Sequence, residues 1–424
     1  MTIALVVAGL FALLLLGVPV AFALGGTGLV LLYAGGFSPL MAPQGILSTL
    51  DGFILLAVPL FLLMGNVLLK GGVGRDLFAA VQAWVGHWPG GLAVATILSC
   101  GLFAAISGSS VATAATIGTV AIPEMTKRGY DARHTYGLLA AGGTLGILIP
   151  PSIPMIVYGF VAEESVIALF MAGVGPGLAL IAAFIVFAVL HARLSPGYER
   201  LAPATWDERR AASVRALPSV ALALLVVFGI YSGAFTPTEA AAVGFAAALL
   251  ITGVILRTLT WRDFLESARD AMVTTVAILL IVAGAKVFGK ALALWRVPQD
   301  ISAFIGATID GPMMFILVVS VVLLLMGLVF EALSMVLIMT PVLLPAAMGL
   351  GFDPIWFGVY MVIMVECALI TPPVGLNLYV IQSVARASLS DVARGTLPFL
   401  AIMLASVALL YAWPDLALYL PFKW

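Results

Sequence analysis

Apolar stretches of about 20 residues, the length that crosses a bilayer, follow one another almost end to end along the chain, separated by short polar punctuation. The pattern predicts helices that are apolar on every side, and the length accommodates roughly a dozen membrane segments. At the start, Met1 to Gly25 ends in Ala21-Phe22-Ala23, which resembles a signal-peptide cleavage site. Signal peptides carry a basic leading region, and no Lys or Arg precedes Lys70. Two short spans, about 2–16 and 18–35, broken near Gly17-Val18-Pro19, are the better expectation.

Landmarks recur at one offset. Gly129-Tyr130-Asp131 matches Gly351-Phe352-Asp353, Pro123 matches Pro345, and Pro150-Pro151 matches Pro372-Pro373, each 222 residues apart. Such self-similarity means two copies of one element series. Loop charge then orients the copies, because cytoplasmic loops are enriched in Lys and Arg. The loop Lys127 to Arg133 is basic and its counterpart Gly349 to Asp353 is not, so the equivalent loops should face opposite sides. Arg193, Arg200, Arg209, Arg210 and Arg215 place the linker between the copies in the cytoplasm, and Arg257, Arg262 and Arg269 agree for the next loop. Both termini then fall outside, as inverted repeats demand.

The expected fold is thus an all-α polytopic membrane protein of two inverted-topology repeats. The first, 1–192, holds scaffold spans (2–70), an interfacial amphipathic arm (75–88), a re-entrant hairpin (90–126) and a broken helix (134–160). A cytoplasmic linker (193–217) leads to the second, 218–424, with scaffold spans (218–295), a hairpin (312–348), a broken helix (354–385) and a final span (395–413).

The residues that disobey membrane-helix grammar mark the candidate site. Each hairpin arm is too short for a comfortable crossing, with tips at Ser107-Gly108-Ser109-Ser110 and near Gly327-Leu328-Val329-Phe330-Glu331-Ala332. The spans that follow carry Pro150-Pro151-Ser152, with Gly146 just before, and Thr371-Pro372-Pro373-Val374-Gly375-Leu376-Asn377. Two successive prolines remove backbone donors and unwind a helix. Non-helical backbone at membrane depth is tolerated where it is buried in protein or lines a cavity. Freed carbonyls at half-helix C-termini suit Na⁺, and the opposing N-termini suit a carboxylate. One Na⁺ would sit at Ser107, Ser109, Ser110 and Gly146, and another at Gly327, Glu331, Thr371 and Gly375.

A lone Ser109 serves helix packing as readily as ligation, but three serines at one tip favour function. Glu331, an ionisable group in an apolar run, is a functional candidate by default. Glu366 and Asn377 flank the second break and could hold its geometry rather than touch ligand. Lys286, Lys290 and Arg296, near the end of a span, read as snorkelling side chains.

Composition sharpens the picture by exclusion. With 63% hydrophobic and 9% charged residues, against about a quarter charged in a soluble domain, the chain belongs in lipid. A net charge of −1 with scattered basic residues gives no nucleic-acid footprint. The two cysteines, Cys100 and Cys367, lie in apolar runs and outside any metal spacing, so no cofactor is expected beyond Na⁺ as coupling ion. No P-loop, no nucleophile with a base and no His-Glu-x-x-His motif occurs, which argues against ATP-driven transport and against an intramembrane enzyme. A channel remains the other class, since re-entrant segments also build selectivity filters.

The segments Phe103 to Ala114, Ile122-Pro123-Glu124-Met125 and Leu148 to Pro154, with Phe330-Glu331, Thr340-Pro341, Leu344-Pro345 and Thr371 to Asn377, resemble the large membrane subunit of TRAP (tripartite ATP-independent periplasmic) transporters, over nearly the whole chain. The resemblance implies an elevator-type transporter of the bacterial inner membrane that takes up an organic acid with Na⁺. It further implies two partners, a small four-span membrane subunit as a separate polypeptide and a periplasmic substrate-binding protein. The moving part would contain about 90–192 and 312–412. A Na⁺/carboxylate symporter without a binding protein is the related alternative. The carried acid stays open: dicarboxylate, sialic acid, another sugar acid or an amino-acid-like osmolyte.

Overall fold

The computed structural model describes residues 3–194, 197–308 and 311–423, and every regular element among them is a helix. In the first half these are α1 (Ile3–Leu15), α2 (Val20–Ala34), α3 (Met41–Leu50), α4 (Ala57–Lys70), α5 (Val73–Val85), α6 (Gly91–Ser107), α7 (Ser110–Lys127), α8 (Ala132–Gly142), α9 (Ile153–Ala162) and α10 (Val166–Leu194). The second half runs α11 (Trp206–Tyr231), α12 (Pro237–Leu249), α13 (Trp261–Leu294), α14 (Val297–Thr308), α15 (Pro312–Met326), α16 (Ala332–Gly349), α17 (Pro354–Leu369), α18 (Leu376–Ala385) and α19 (Leu389–Ala412). A short α20 (Asp415–Lys423), which the repeat did not foretell, packs on α10.

Subtracting 222 from α16 gives 110–127, the bounds of α7, and the same shift lays α14 to α19 over α5 to α10 in order. The matched tripeptides explain themselves. Gly129 and Gly351 take left-handed φ of 76° and 88°, which ends each hairpin at little steric cost to a glycine. Asp131 and Asp353 then cap the next helix, accepting from the backbone N–H of His134 at 3.0 Å and of Ile355 at 2.8 Å.

The two broken spans run antiparallel. At one end Arg133, opening α8, pairs with Asp391, opening α19, at 2.7 Å. At the other, Tyr158 near the end of α9 donates its hydroxyl to the Pro354 carbonyl, which opens α17, at 2.7 Å. The start of one broken span therefore lies beside the end of the other, which is the inversion in physical form. Where α8 crosses α19, a Cβ on Gly137 would fall on the Gly395 backbone and one on Gly395 on the Arg133 carbonyl, so the two backbones touch.

Among the described residues, seven helices are long and apolar enough to cross a membrane, or eight if the bent α8–α9 pair is one span. That is fewer than the dozen segments the length allows. The difference lies in shorter apolar helices such as α6, α15, α17 and α18, which work in pairs across a tip or a break.

The first two helices, α1 and α2, meet at Gly17, with φ of 82°. The linker is shorter than its charge pattern implies: α10 continues to Leu194 and α11 begins at Trp206, so Arg209, Arg210 and Arg215 ride on a helix. The last span likewise begins at Leu389, earlier than the expected 395. The halves also differ, since α3 and α4 are parted at Asp51-Gly52 and a 3-10 turn (Phe53–Leu56), where α13 runs unbroken for 34 residues.

Packing sorts the helices into two groups. A scaffold gathers α2, α3 and α4 around α13, with α12 packed on the far side against α4 and the backbone of α2 at Gly28 closing on Phe288. A second unit joins both hairpins (α6–α7, α15–α16), both broken spans and α10 with α19. The arms α5 and α14 bridge them, α5 against α6 and α7, α14 against α16.

Candidate functional site

The two hairpin tips, 222 residues apart in register, meet at one cavity of about 250 Å³. Its wall includes Gly108, Ser109 and Ser110 from the first tip and Glu331 and Ala332 from the second. Ile153 and Pro154 enter from α9, and Leu376 from α18. These positions open α7, α16, α9 and α18, so four helix N-termini converge on the space. Each N-terminus presents unpaired N–H groups and a partial positive charge. The C-terminal sides, Ile147 of the 3-10 turn Gly143–Leu148 and Leu369 of α17, supply carbonyl ends nearby.

The first tip is compact. Gly108 holds φ of 64°, and a Cβ there would lie 3.2 Å from the Pro151 carbonyl oxygen, so tip and break are in contact. Ser109 caps α7, accepting from the Ala112 N–H at 3.3 Å, while Thr113 donates to the Ser109 carbonyl at 2.8 Å. Ser107 is buried, and its hydroxyl lies 3.2 Å from that of Thr113. Ser107 thus braces the tip from behind, while Ser109 and Ser110 line the cavity.

The second tip is looser: five residues, 327–331, part α15 from α16, against two, 108–109, in the first. Glu331 occupies the N-cap of α16 and is exposed, with Ser334 donating to its carboxylate at 3.3 Å. It also lines a second recess of about 490 Å³ with Gly327, Ser334, Val374 and, from the scaffold, Pro19 and Ala21. The breaks differ in the same way. Pro150, Pro151 and Ser152 are buried, whereas Pro373 and Val374 are exposed.

The other sequence-derived candidates shape the cavity without lining it. Gly146 is where the break meets the hairpin, and a Cβ there would fall on that of Ala104. Ser152 caps α9, accepting from the Met155 N–H at 3.4 Å. Thr371 donates back to the Cys367 carbonyl at 2.7 Å. A Cβ on Gly375 would fall on the Leu369 carbonyl. Asn377 is fully buried and donates to the Ala140 carbonyl at 3.1 Å, tying the second break to the helix that leads into the first. Glu366 is 1% exposed, and the Ser110 side chain stands within hydrogen-bonding reach of its carboxylate.

Sequence reasoning missed the scaffold's share. Leu62 of α4 and Thr274 and Ile278 of α13 close the cavity from the other unit. Nothing in their local pattern distinguishes them from lipid-facing residues, because only the tertiary fold brings them there. Among the described residues no cluster of three His, Cys, Asp or Glu could hold a metal. A cation here would rely on hydroxyl and carbonyl oxygens with at most one carboxylate, a donor set that fits a hard monovalent ion.

Two inverted halves whose re-entrant tips close on one cavity make this a multi-pass membrane transport protein. The family model for the DctM component of the tripartite ATP-independent periplasmic transporters matches residues 7–416. The chain is 40% identical to the C4-dicarboxylate TRAP transporter large permease protein DctM of Pseudomonas aeruginosa, over 89% of this chain and 88% of that one. It is 34% identical to the sialic acid TRAP transporter large permease protein SiaM of Vibrio cholerae, over 97% of each chain. The crystal structure of the Alcanivorax borkumensis YdaH transporter shares the fold, with a TM-score of 0.60 at 15% identity, covering 89% of this chain and 88% of that one. The chain therefore belongs to the DctM family of TRAP transporters, and it is a transport subunit rather than an enzyme.

Proposed function

We propose that this protein is the large membrane subunit of a Na⁺-coupled importer of an organic acid, set in the bacterial inner membrane. It works with a small four-span membrane subunit and with a periplasmic binding protein that delivers the solute. The observation that carries this reading is the convergence of four helix N-termini on one cavity between the tips, an electrostatic setting for a carboxylate. The relatives named for C4-dicarboxylates and sialic acid support the same solute class. Na⁺ would take carbonyls and hydroxyls of Ser107, Ser109, Ser110 and Gly146 on one side, and carbonyls of Gly327 and Gly375, the Thr371 hydroxyl and the Glu331 carboxylate on the other. Cation and anion then neutralise each other in a poorly hydrated space, which couples their binding.

Reconstitution into liposomes with both partners tests the coupling. Uptake of the cognate acid should require an inward Na⁺ gradient and the binding protein. Uptake that runs equally without either one would refute it.

Alternating access follows if the hairpin unit slides against the scaffold. With basic ends in the cytoplasm, the cavity meets α13 at Thr274 and Ile278, no further than about the middle of the helix counted from its basic start, which supports reading the site as turned inward. The sliding surface is tight at Gly52, where a Cβ would lie 2.8 Å from the Phe160 ring, and backbone-tight at Gly65 of α4, where a Cβ would lie 2.9 Å from the Ser107 carbonyl. Gly65→Val should therefore disfavour the inward position while leaving each unit folded. The expected result is slower uptake by a protein of normal yield and near-native melting temperature. A large loss of folded protein would show instead that the contact is a fixed part of one body.

A further inference from the structure

Taking the transport reading above as given, we propose that Lys286 and Lys290 form a second anion-binding site, on the scaffold, that receives the solute's carboxylate at the outer side of the membrane. They line a groove of about 780 Å³ between the units, with Ser48 of α3, Gln299 of α14, and Pro341 and Pro345 of α16. This is not where snorkelling lysines belong, since protein rather than lipid lies on both sides.

Charge distribution makes the position unusual. The basic end of α13 is its start, at Arg262 and Arg269, while Lys286 and Lys290 lie near its finish, on the side that positive residues ordinarily avoid. The pair is also under-neutralised. Among the described residues Lys290 makes no ion pair or hydrogen bond, and Lys286 reaches only Glu163 at 3.5 Å, a carboxylate whose side chain is 83% exposed. An ion pair of that kind contributes little. The other neighbour of Lys286 is the Phe160 ring, 4.9 Å from its nitrogen. Two ammonium groups one helical turn apart face a walled and largely apolar groove with one solvent-exposed carboxylate, Glu163, in contact and Glu164 in the adjoining recess.

The helix supplies the geometric link to the transport cavity. In the present state Thr274 and Ile278 of α13 close that cavity. Lys286 and Lys290 lie 12 residues further on each (286 − 274 and 290 − 278), about 18 Å along a helix axis at about 1.5 Å per residue. Ala285 and Gly289, which share a helix face with Thr274 and Ile278, also line the groove and leave a low wall beside the lysines. A displacement of the hairpin unit by that distance along α13 would bring the four N-termini level with the two ammonium groups. The carboxylate would then be held from both units at once on the outer side, and from the moving unit alone after the stroke.

An anionic lipid headgroup shares the same oxyanion chemistry, so the test separates the two sources. Cys100 and Cys367 are fully buried, which makes Lys290→Cys the accessible thiol of this chain, labelled against a wild-type control. In liposomes with both partners, Lys290→Gln should raise the half-saturating solute concentration about tenfold, the loss of one charge-assisted hydrogen bond, with little change in maximal rate. Lys290→Arg should behave like wild type. Attaching an aminoethyl group to the Lys290→Cys thiol should restore affinity and an ethylsulfonate group should not, which separates charge from folding. Succinate or sialic acid should slow that labelling.

Wild-type affinity in both Lys286→Gln and Lys290→Gln would overturn the proposal, as would labelling that neither acid slows. A defect seen in bilayers containing phosphatidylglycerol and lost in pure phosphatidylcholine would assign the lysines to a lipid headgroup and overturn it as well. Wild-type protein that imports no carboxylate would instead remove the transport reading itself, so the two failures are distinguishable.

Discussion

Replacing Glu331 with alanine should cut Na⁺-dependent uptake about 10- to 100-fold, the cost of about 1.5–3 kcal/mol for removing a charged ligand, with expression intact. The reasoning is positional. Glu331 stands at the N-cap of α16, exposed, at the rim of both the cavity and the recess beside it. It makes no side-chain cap hydrogen bond, so its removal leaves no backbone donor newly unpaired and costs the fold little. A carboxylate beside converging helix N-termini weakens the anion site unless a cation accompanies it, which is why its effect should fall on coupling. Ser109→Ala should produce a smaller loss, since it removes one hydroxyl at the opposite tip and one cap at 3.3 Å. Uptake rates against Na⁺ concentration check both variants. Full transport by both would return the two residues to packing.

Gly395→Val is expected to do the reverse and remove folded protein altogether. A side chain there meets the Arg133 carbonyl of α8, and Gly137 meets the Gly395 backbone in turn. Neither contact ends on a flexible side chain, so the helices must separate. Overpacking of this kind costs about 1–3 kcal/mol where neighbours yield, and more where both surfaces are backbone. Separation would also pull apart the Arg133–Asp391 pair at the end of the same crossing. Detergent-solubilised yield and thermal melting would register the loss. A normally folded Gly395→Val variant would mean the crossing is looser than its geometry states.

The contrast shows which parts of the protein were legible in sequence. Tips and breaks were, because they violate helix grammar locally: three serines around a glycine, a glutamate in an apolar run, two prolines in succession. The repeat was legible too, since a glycine stop and an aspartate cap leave the pattern Gly-aromatic-Asp twice. The packing was not. Asn377 lies in the second break's own motif, yet its partner, the Ala140 carbonyl, is 237 positions away. Thr274 and Ile278 look like any residues of a long apolar helix. Lys286 and Lys290 read as snorkelling because nothing in the letters says that α16 covers them.

The halves also differ in how they achieve one feature. In the first, a glycine in the break (Gly146) receives the methyl of Ala104 from the hairpin. In the second, the hairpin has the glycine (Gly327) and the break the methyl of Ala368. Gly146 and Ala368 are 222 apart, and Ala104 falls one residue from the counterpart of Gly327. Each half thus keeps one methyl at the meeting of hairpin and break, and the copies set it on opposite surfaces. The two arrangements are not interchangeable: after Ala104→Gly a Cβ at position 146 would still lie 2.7 Å from the backbone of residue 104, whereas the Ala368 backbone stands 3.0 Å from the Cβ position of Gly327, so the first break is seated more tightly on its hairpin than the second.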